Sequence, residues 1–485
     1  MWNVRLMGVV PVLGLAACAM ESVEPPIPGQ PNLSTRTAPW AVAPGVSGDS
    51  GREPLEVSSA FLFENGVRPK NLLFISVDTL RWDRFNALGY ETRTTTPHID
   101  RILDGGVVLT RNRSCASWTL ASFSCSLSGL YQLDVGYWPR ASGTEVISPF
   151  PGVFPGIASI LKEAGYATSH VTASRFTSSG WGLDNGHDQV EHIKDSSVEL
   201  TDRALEMLQA QDPGQPWFHH IHYVGPHSPY DPPEEYGALL DQEACPFPLA
   251  DPAGTWSLLV DDFEDLTPQQ QAGCMQQVNL RYDSEIHHDD AQIGRLLDWL
   301  ETGPGEETLV VFFTDHGEAF NEHEGNSSLG WFHSTSHYDE TVGTMLAFYN
   351  PGNLQPARVV EATSLIDLVP STLALLGLET EQVFTGRVVD LESEVMTFQL
   401  DYRESHTSQT VSTTTDKLHF HASCQEGPRR PWGPMEYYDL VSDPGETQNL
   451  YDPAHPRVQT LWAALQPKIM ELVEREPDYT PTCSY

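Results

Sequence analysis

The chain is 485 residues long, enough for one large domain with appendages or for two domains. Its 66 acidic residues against 27 basic ones give a formal net charge of −39, on an ordinary hydrophobic content of 40%. Such a surface repels polyanions and carries no basic stretch interleaved with aromatics, which excludes nucleic acid as a partner; for an anionic substrate, metal and histidine must supply the local positive field.

Following Arg5, an apolar run over 6–17 ends in Leu-Ala-Ala and Cys18. The pattern is similar to a bacterial lipoprotein signal over 1–18, in which Cys18 becomes the lipidated amino terminus, and the run is too short for a bilayer-spanning helix of about 20 residues. It predicts an exported protein of the bacterial cell envelope, in the periplasm or at the cell surface, held to a membrane through its lipid. Residues 19–70, rich in Pro, Gly, Ser and Thr, read as a disordered tether. Six further cysteines, Cys115, Cys125, Cys245, Cys274, Cys424 and Cys483, permit three disulfides in an oxidising compartment. Cys245 with Cys274 and Cys424 with Cys483 are the expected pairs, from proximity along the chain and placement in the same domain.

From residue 71 strands and helices alternate. Leu72, Leu73, Phe74, Ile75 and Val77 make a short apolar run of the kind buried on both faces of a parallel sheet, and it stops at Asp78-Thr79. Helices are expected over 97–104, 119–130, 156–164, 197–210, 267–301 and 365–376, with strands over 107–110, 166–171, 217–224 and 308–314. On the long helix, His287 and His288 beside Asp289 and Asp290 read as a solvated face. The alternation predicts a doubly wound α/β domain over 71–393, its largely parallel sheet flanked by helices. Beyond it, 394–485 reads as a smaller C-terminal α+β subdomain of extended Thr-rich segments closed by a helix over 458–474.

Ligands bind at the carboxyl ends of strands in open α/β sheets. Asp78 ends the first strand, and Asp315-His316 ends the buried strand VVFFT, so the two can converge on one cation. Hard oxygen ligands with one imidazole suit Ca, Mg or Mn, with Zn also compatible. Thr119, in SWTLASFSCSLSGLY, stands where a helix begins. It reads either as an N-cap or as a hydroxyl whose pKa a neighbouring cation lowers, facing donors suited to an anionic oxygen.

These stretches, with TTTPHIDRI, HYVGPHSPYDPP, FFTDHGEAFNEH, FHSTSHYDE and the tail YYDLVSDPGETQNL, resemble in family order the sulfatase family of the alkaline-phosphatase superfamily, over nearly everything after residue 70. The resemblance implies an alkaline-phosphatase-like fold, a metal held by Asp78, Thr119, Asp315 and His316, and Thr119 as nucleophile. His227 in GPHSPY and His333 in FHSTSHYDE match histidines facing the substrate, as leaving-group acid, oxyanion contact or second-metal ligand. His323 and Lys417 are implied substrate contacts. Sulfatases proper carry C-x-P-S-R or S-x-P-S-R at the nucleophile; here the string is Thr119-Leu120-Ala121-Ser122-Phe123. Threonine cannot be oxidised to the aldehyde, so formylglycine is not expected. Thr79 replaces a common second Asp, Gly225 replaces the Asp two places before His227, and ASRFTSSGWG replaces a G-K-W-H-like stretch. Family members with Thr look like phosphoesterases, phosphonate hydrolases and phospho-group transferases. The expectation is a metal-dependent hydrolase of small anionic esters, sulfate or phosphate (mono- or diester, phosphonate). A transferase and a catalytically degenerate binding lipoprotein remain the alternatives.

Overall fold

The computed structural model describes residues 61–475 apart from 137–149, 151–153, 195, 237–244, 247–261, 324–329, 335, 391–394, 401–406 and 423–434. Cys18, the signal segment, residues 19–60 of the tether and the Cys424–Cys483 pair lie outside the described residues. Cys245 bridges Cys274, and a second bridge joins Cys115 to Cys125.

In chain order the elements are β1 (Asn71–Val77), α1 (Ile99–Gly105), β2 (Val107–Arg113), α2 (Thr119–Ser126), α3 (Ile157–Glu163), β3 (Ala167–Thr172), β4 (Gln189–His192), α4 (Ser197–Gln209), β5 (Trp217–Tyr223), α5 (Pro268–Glu301), β6 (Thr308–Thr314), β7 (Ala319–Phe320), β8 (Trp331–Phe332), α6 (Asp339–Val342), β9 (Gly343–Tyr349), β10 (Ala357–Val359), β11 (Thr363–Ser364), α7 (Leu368–Leu376), β12 (Thr397–Leu400), β13 (Thr407–Ser412), β14 (Asp416–Ala422), β15 (Met435–Asp439) and α8 (Pro456–Arg475). The main sheet has nine strands, ordered β10-β2-β9-β6-β1-β5-β3-β4 with β11 also on β2. β9 pairs antiparallel with both β2 and β6, and every other pairing in this sheet is parallel.

Successive side chains of a strand point to opposite faces. In β1, Leu72 and Phe74 therefore enter one core with α2, α3 and α7, while Leu73, Ile75 and Val77 enter the other with α1, α4 and α5. The long α5 begins behind a capping box, Thr267 with Gln270, and Pro268 occupies its first turn, where a missing N–H costs nothing. Its expected solvated face is not one: Asp289 and Asp290 are buried, and His287 and His288 are half-buried. Asp290 accepts the backbone N–H groups of His98 and Ile99 and so anchors the start of α1, which a reading of α5 alone cannot foresee.

The second sheet, β12-β13-β14-β15, is antiparallel, and with α8 it forms the C-terminal subdomain. Leu400, Val411, Leu418, Leu461 and Leu465 join the same core as Phe123 and Leu373, so the two parts share apolar packing. The expected tether also ends sooner than residue 70. Phe61 is buried in the core, Phe63 bridges Leu354, and Arg68 donates to the Ala374 carbonyl, because two aromatics among the polar residues reach the domain surface. Among the described residues, no helix is long and apolar enough to cross a membrane.

Candidate active site

β1, β5 and β6 lie side by side, with Val77 in register with Tyr223 and with Thr314. Their carboxyl ends therefore deliver Asp78 and Asp315-His316 to one place, where one ligand atom from each lies within 4.8 Å of the others. Asp78 Oδ1 is 3.4 Å and Asp315 Oδ2 is 3.5 Å from His316 Nε2. The other oxygen of Asp315 is fixed by the N–H groups of Thr79 at 3.2 Å and His316 at 2.8 Å. To offer that N–H, Thr79 sits at φ 55, a left-handed conformation that a β-branched residue rarely adopts. Tyr282 donates to its carbonyl at 2.6 Å and locks the turn.

Thr119 is the first residue of α2, and its Oγ1 lies 3.4 Å from Asp78 Oδ2 and 3.3 Å from His316 Nε2. Trp118 immediately before it is extended, and the hydroxyl projects from the start of the helix toward Asp78 and His316. Ser122, one turn on, donates to the Asp315 carbonyl at 2.6 Å and ties α2 to the loop after β6.

The electrostatics of this group are unbalanced. Burial raises Asp78 to about 6, with His227 partly offsetting it. Burial and then the charge of Asp78 push Asp315 well above the ordinary carboxylate range, while burial holds His316 well below the ordinary imidazole value. Asp78 Oδ1, Asp315 Oδ2, Thr79 Oγ1 and His222 Nε2 are buried polar atoms without a hydrogen-bond partner. Two carboxylates and a neutral imidazole, with inward oxygens unsatisfied, fit a divalent cation of the Ca, Mg or Mn type.

The two substrate-side histidines flank the same point. The His333 ring lies 4.6 Å from that of His316, and the His227 ring lies 5.0 Å from that of His333. His227 Nδ1 is 2.6 Å from the Ser228 carbonyl, and His333 Nδ1 is 2.9 Å from Glu318 Oε1. The structure thus brings together Asp78, Thr119, Asp315, His316, His227 and His333.

His323 and Lys417 make other contacts than the expected ones. His323 pairs with Glu340 at 3.0 Å and stacks on Tyr338, and Lys417 is wholly buried between Asp339 and Glu446, so both polar ends are engaged by protein acids. Two side chains at the site escaped the sequence reading. Glu318, buried and raised to about 8 by that burial, follows His316 by two residues in the same DHGE string. His222, in WFHHIHY, lies 3.9 Å from Asp78, and its only sequence signal was three histidines in one apolar strand.

Comparisons with known proteins give the family and the fold. A profile of the Sulfatase family matches residues 70–378, more than half of the chain. An arylsulfatase of Clostridium perfringens is 27% identical over 301 residues, which span 58% of each protein, less than two thirds of that relative's length. The multifunctional alkaline phosphatase superfamily protein PehA of Trinickia caryophylli is 24% identical over 497 residues, covering 80% of this chain and 92% of its own. The solved phosphonate monoester hydrolase of Agrobacterium radiobacter superposes with a TM-score of 0.62 at 18% identity, over 84% of this chain and 97% of its own.

Proposed function

Because the chain belongs to the sulfatase family of sulfate- and phosphate-ester hydrolases, we propose that it is an exported, metal-dependent hydrolase working through Thr119, on small sulfate, phosphate or phosphonate esters. The observation that carries this reading is the Thr119 hydroxyl at the start of α2, within 3.4 Å of both Asp78 and His316. Asp78, Asp315 and His316 would hold the cation, with Thr119 beside it. A bound divalent cation supplies Lewis acidity, lowering the pKa of a hydroxyl and offsetting charge on the transferring group.

The side chains do the rest. Thr119 Oγ1, whose proton passes to solvent before attack and is regained from solvent after the ester is cleaved, attacks the sulfur or phosphorus in line, forming a Thr119 ester as the bond to the leaving alcohol breaks. His333, its Nδ1 held by Glu318, or His227, its Nδ1 held by the Ser228 carbonyl, gives the departing oxygen its proton. Water, deprotonated by the same imidazole, then cleaves the Thr119 ester and restores the hydroxyl. The absence of a Cys or Ser at the nucleophile favours phosphorus esters over sulfate. Cys18 supports lipid anchoring in the cell envelope, which would present the domain to ester substrates outside the cytoplasm.

The test is an ester panel of sulfate monoesters, phosphate mono- and diesters and phosphonates, assayed after chelation and after adding back Ca, Mg or Mn. Hydrolysis is expected to vanish with chelation and return with metal. Thr119→Ala should lose it by about 1000-fold or more with an unchanged circular dichroism spectrum. Undiminished turnover in Thr119→Ala removes the mechanism.

A further inference from the structure

The loop that carries Asp315 and His316 is not held by β6 alone. Gly317 N–H donates to the Thr341 carbonyl and Glu318 N–H to the Glu340 carbonyl, both at 2.8 Å. A Cβ on Gly317 would collide with the Glu340 carbonyl oxygen, so the glycine marks a contact too close for any side chain. The loop is therefore fastened to the one-turn helix α6 as well as to α2 and Thr79.

α6 is in turn fixed from the C-terminal subdomain. Its first residue, Asp339, donates its N–H to Glu446 Oε2 at 2.7 Å. The Asp339 carboxylate takes a bidentate pair from Arg113 of β2, at 2.8 and 2.9 Å, and the ammonium of Lys417 of β14 at 2.7 Å. Lys417 continues to Glu446 at 3.0 Å, and His419 Nε2 is 3.0 Å from the other Glu446 oxygen. The two cations and two acids balance in a site where Arg113, Lys417 and Glu446 are buried and Asp339 keeps slight exposure. Glu446 has a further mark: at φ 52 it is a non-glycine residue in the left-handed region, yet only 1% exposed. Such a conformation costs of order 1–3 kcal/mol and persists where the side chain is required.

We infer that Lys417 and Glu446, both outside the nucleophile's domain, are positioning residues for the metal-binding loop, acting through Asp339 and the carbonyls of α6. The inference rests on Asp78, Asp315 and His316 being a cation site, and it assigns that site a dependence on the C-terminal sheet.

The full chain, stripped of metal, is titrated with Mn2+ in a calorimeter. Asp78→Asn serves as the control for the site, and loss of binding in it establishes the metal reading separately. The working variant is the double substitution Lys417→Met with Glu446→Asn. It removes one cation and one acid together, leaves the Arg113–Asp339 pair intact, and gives position 446 a residue that tolerates positive φ. Outer-shell changes cost about 10–100-fold in metal affinity, so the Mn2+ Kd is expected to rise about tenfold while the urea midpoint of the metal-free protein stays near wild type. An unchanged Kd in the folded double variant overturns the inference. If the double variant does not fold, Glu446→Asn alone, which keeps Lys417 on Asp339, is read with the same two outcomes. Wild type that binds no Mn2+, or Asp78→Asn that binds it equally well, overturns the metal reading and this inference with it.

Discussion

Two buried clusters of charge face each other across α6, and they are built in opposite ways. Around Asp339, Arg113 and Lys417 stand against Asp339 and Glu446, and although burial opposes ionisation, the two cations hold the Asp339 carboxyl well below its usual range. At the carboxyl ends of β1 and β6, two acids meet without a lysine or arginine paired to either among the described residues, and burial drives both upward, with His227 offsetting only part of it. A balanced buried cluster is complete and holds structure; an unbalanced one with unsatisfied oxygens is a receptacle for charge from outside the chain.

The difference can be broken by neutralising one acid in each cluster. Asp315→Asn should cut turnover on the order of 10,000-fold in an ester assay, while its metal-free form is no less stable than wild type. Asp339→Asn should act the other way, lowering unfolding free energy by about 3–5 kcal/mol in urea titrations, because Arg113 and Lys417 lose their shared partner. Equal stability losses in the two variants would erase the distinction.

Metal sharpens the comparison. At 100-fold excess over Kd, a divalent cation should raise wild-type stability by about 2.7 kcal/mol and leave Asp315→Asn unmoved, as read by melting with and without chelator. A smaller effect tests a buried acid outside both clusters. Burial raises Asp289 to about 7, with Ser197 partly offsetting it. The native state then binds more protons than the unfolded chain between about pH 4 and pH 7, so the stability of the metal-free protein should fall as pH rises through that window. Asp289→Asn should flatten the profile and be more stable than wild type at pH 8 by about 1–2 kcal/mol.

The meeting of Asp78 with Asp315 and His316 was legible because buried apolar runs that stop on these residues leave few places for those groups to go. Thr119 was legible as a helix start, but only tertiary contact separates an N-cap from a hydroxyl aimed at Asp78 and His316. β9 was not foreseen: an antiparallel strand entered directly from α6 needs no crossover helix, so the alternating pattern does not announce it. Lys417 was read as a substrate contact because nothing along β14 reveals that Glu446, 29 residues later, closes on it. The acids of α5 were misplaced for the same reason, their N–H donors being nearly 200 residues away in sequence.

The bridge between Cys115 and Cys125 brackets Thr119, so the segment that carries this hydroxyl is a covalent ring spanning a sequence separation of 10. Closing a ring of that size restricts the unfolded chain by roughly 3 kcal/mol. The setting of the Thr119 hydroxyl is thereby tied to oxidation: with the two thiols reduced, the turn into α2 loses its covalent closure, so the redox state of Cys115 and Cys125 bears directly on how firmly that hydroxyl is held.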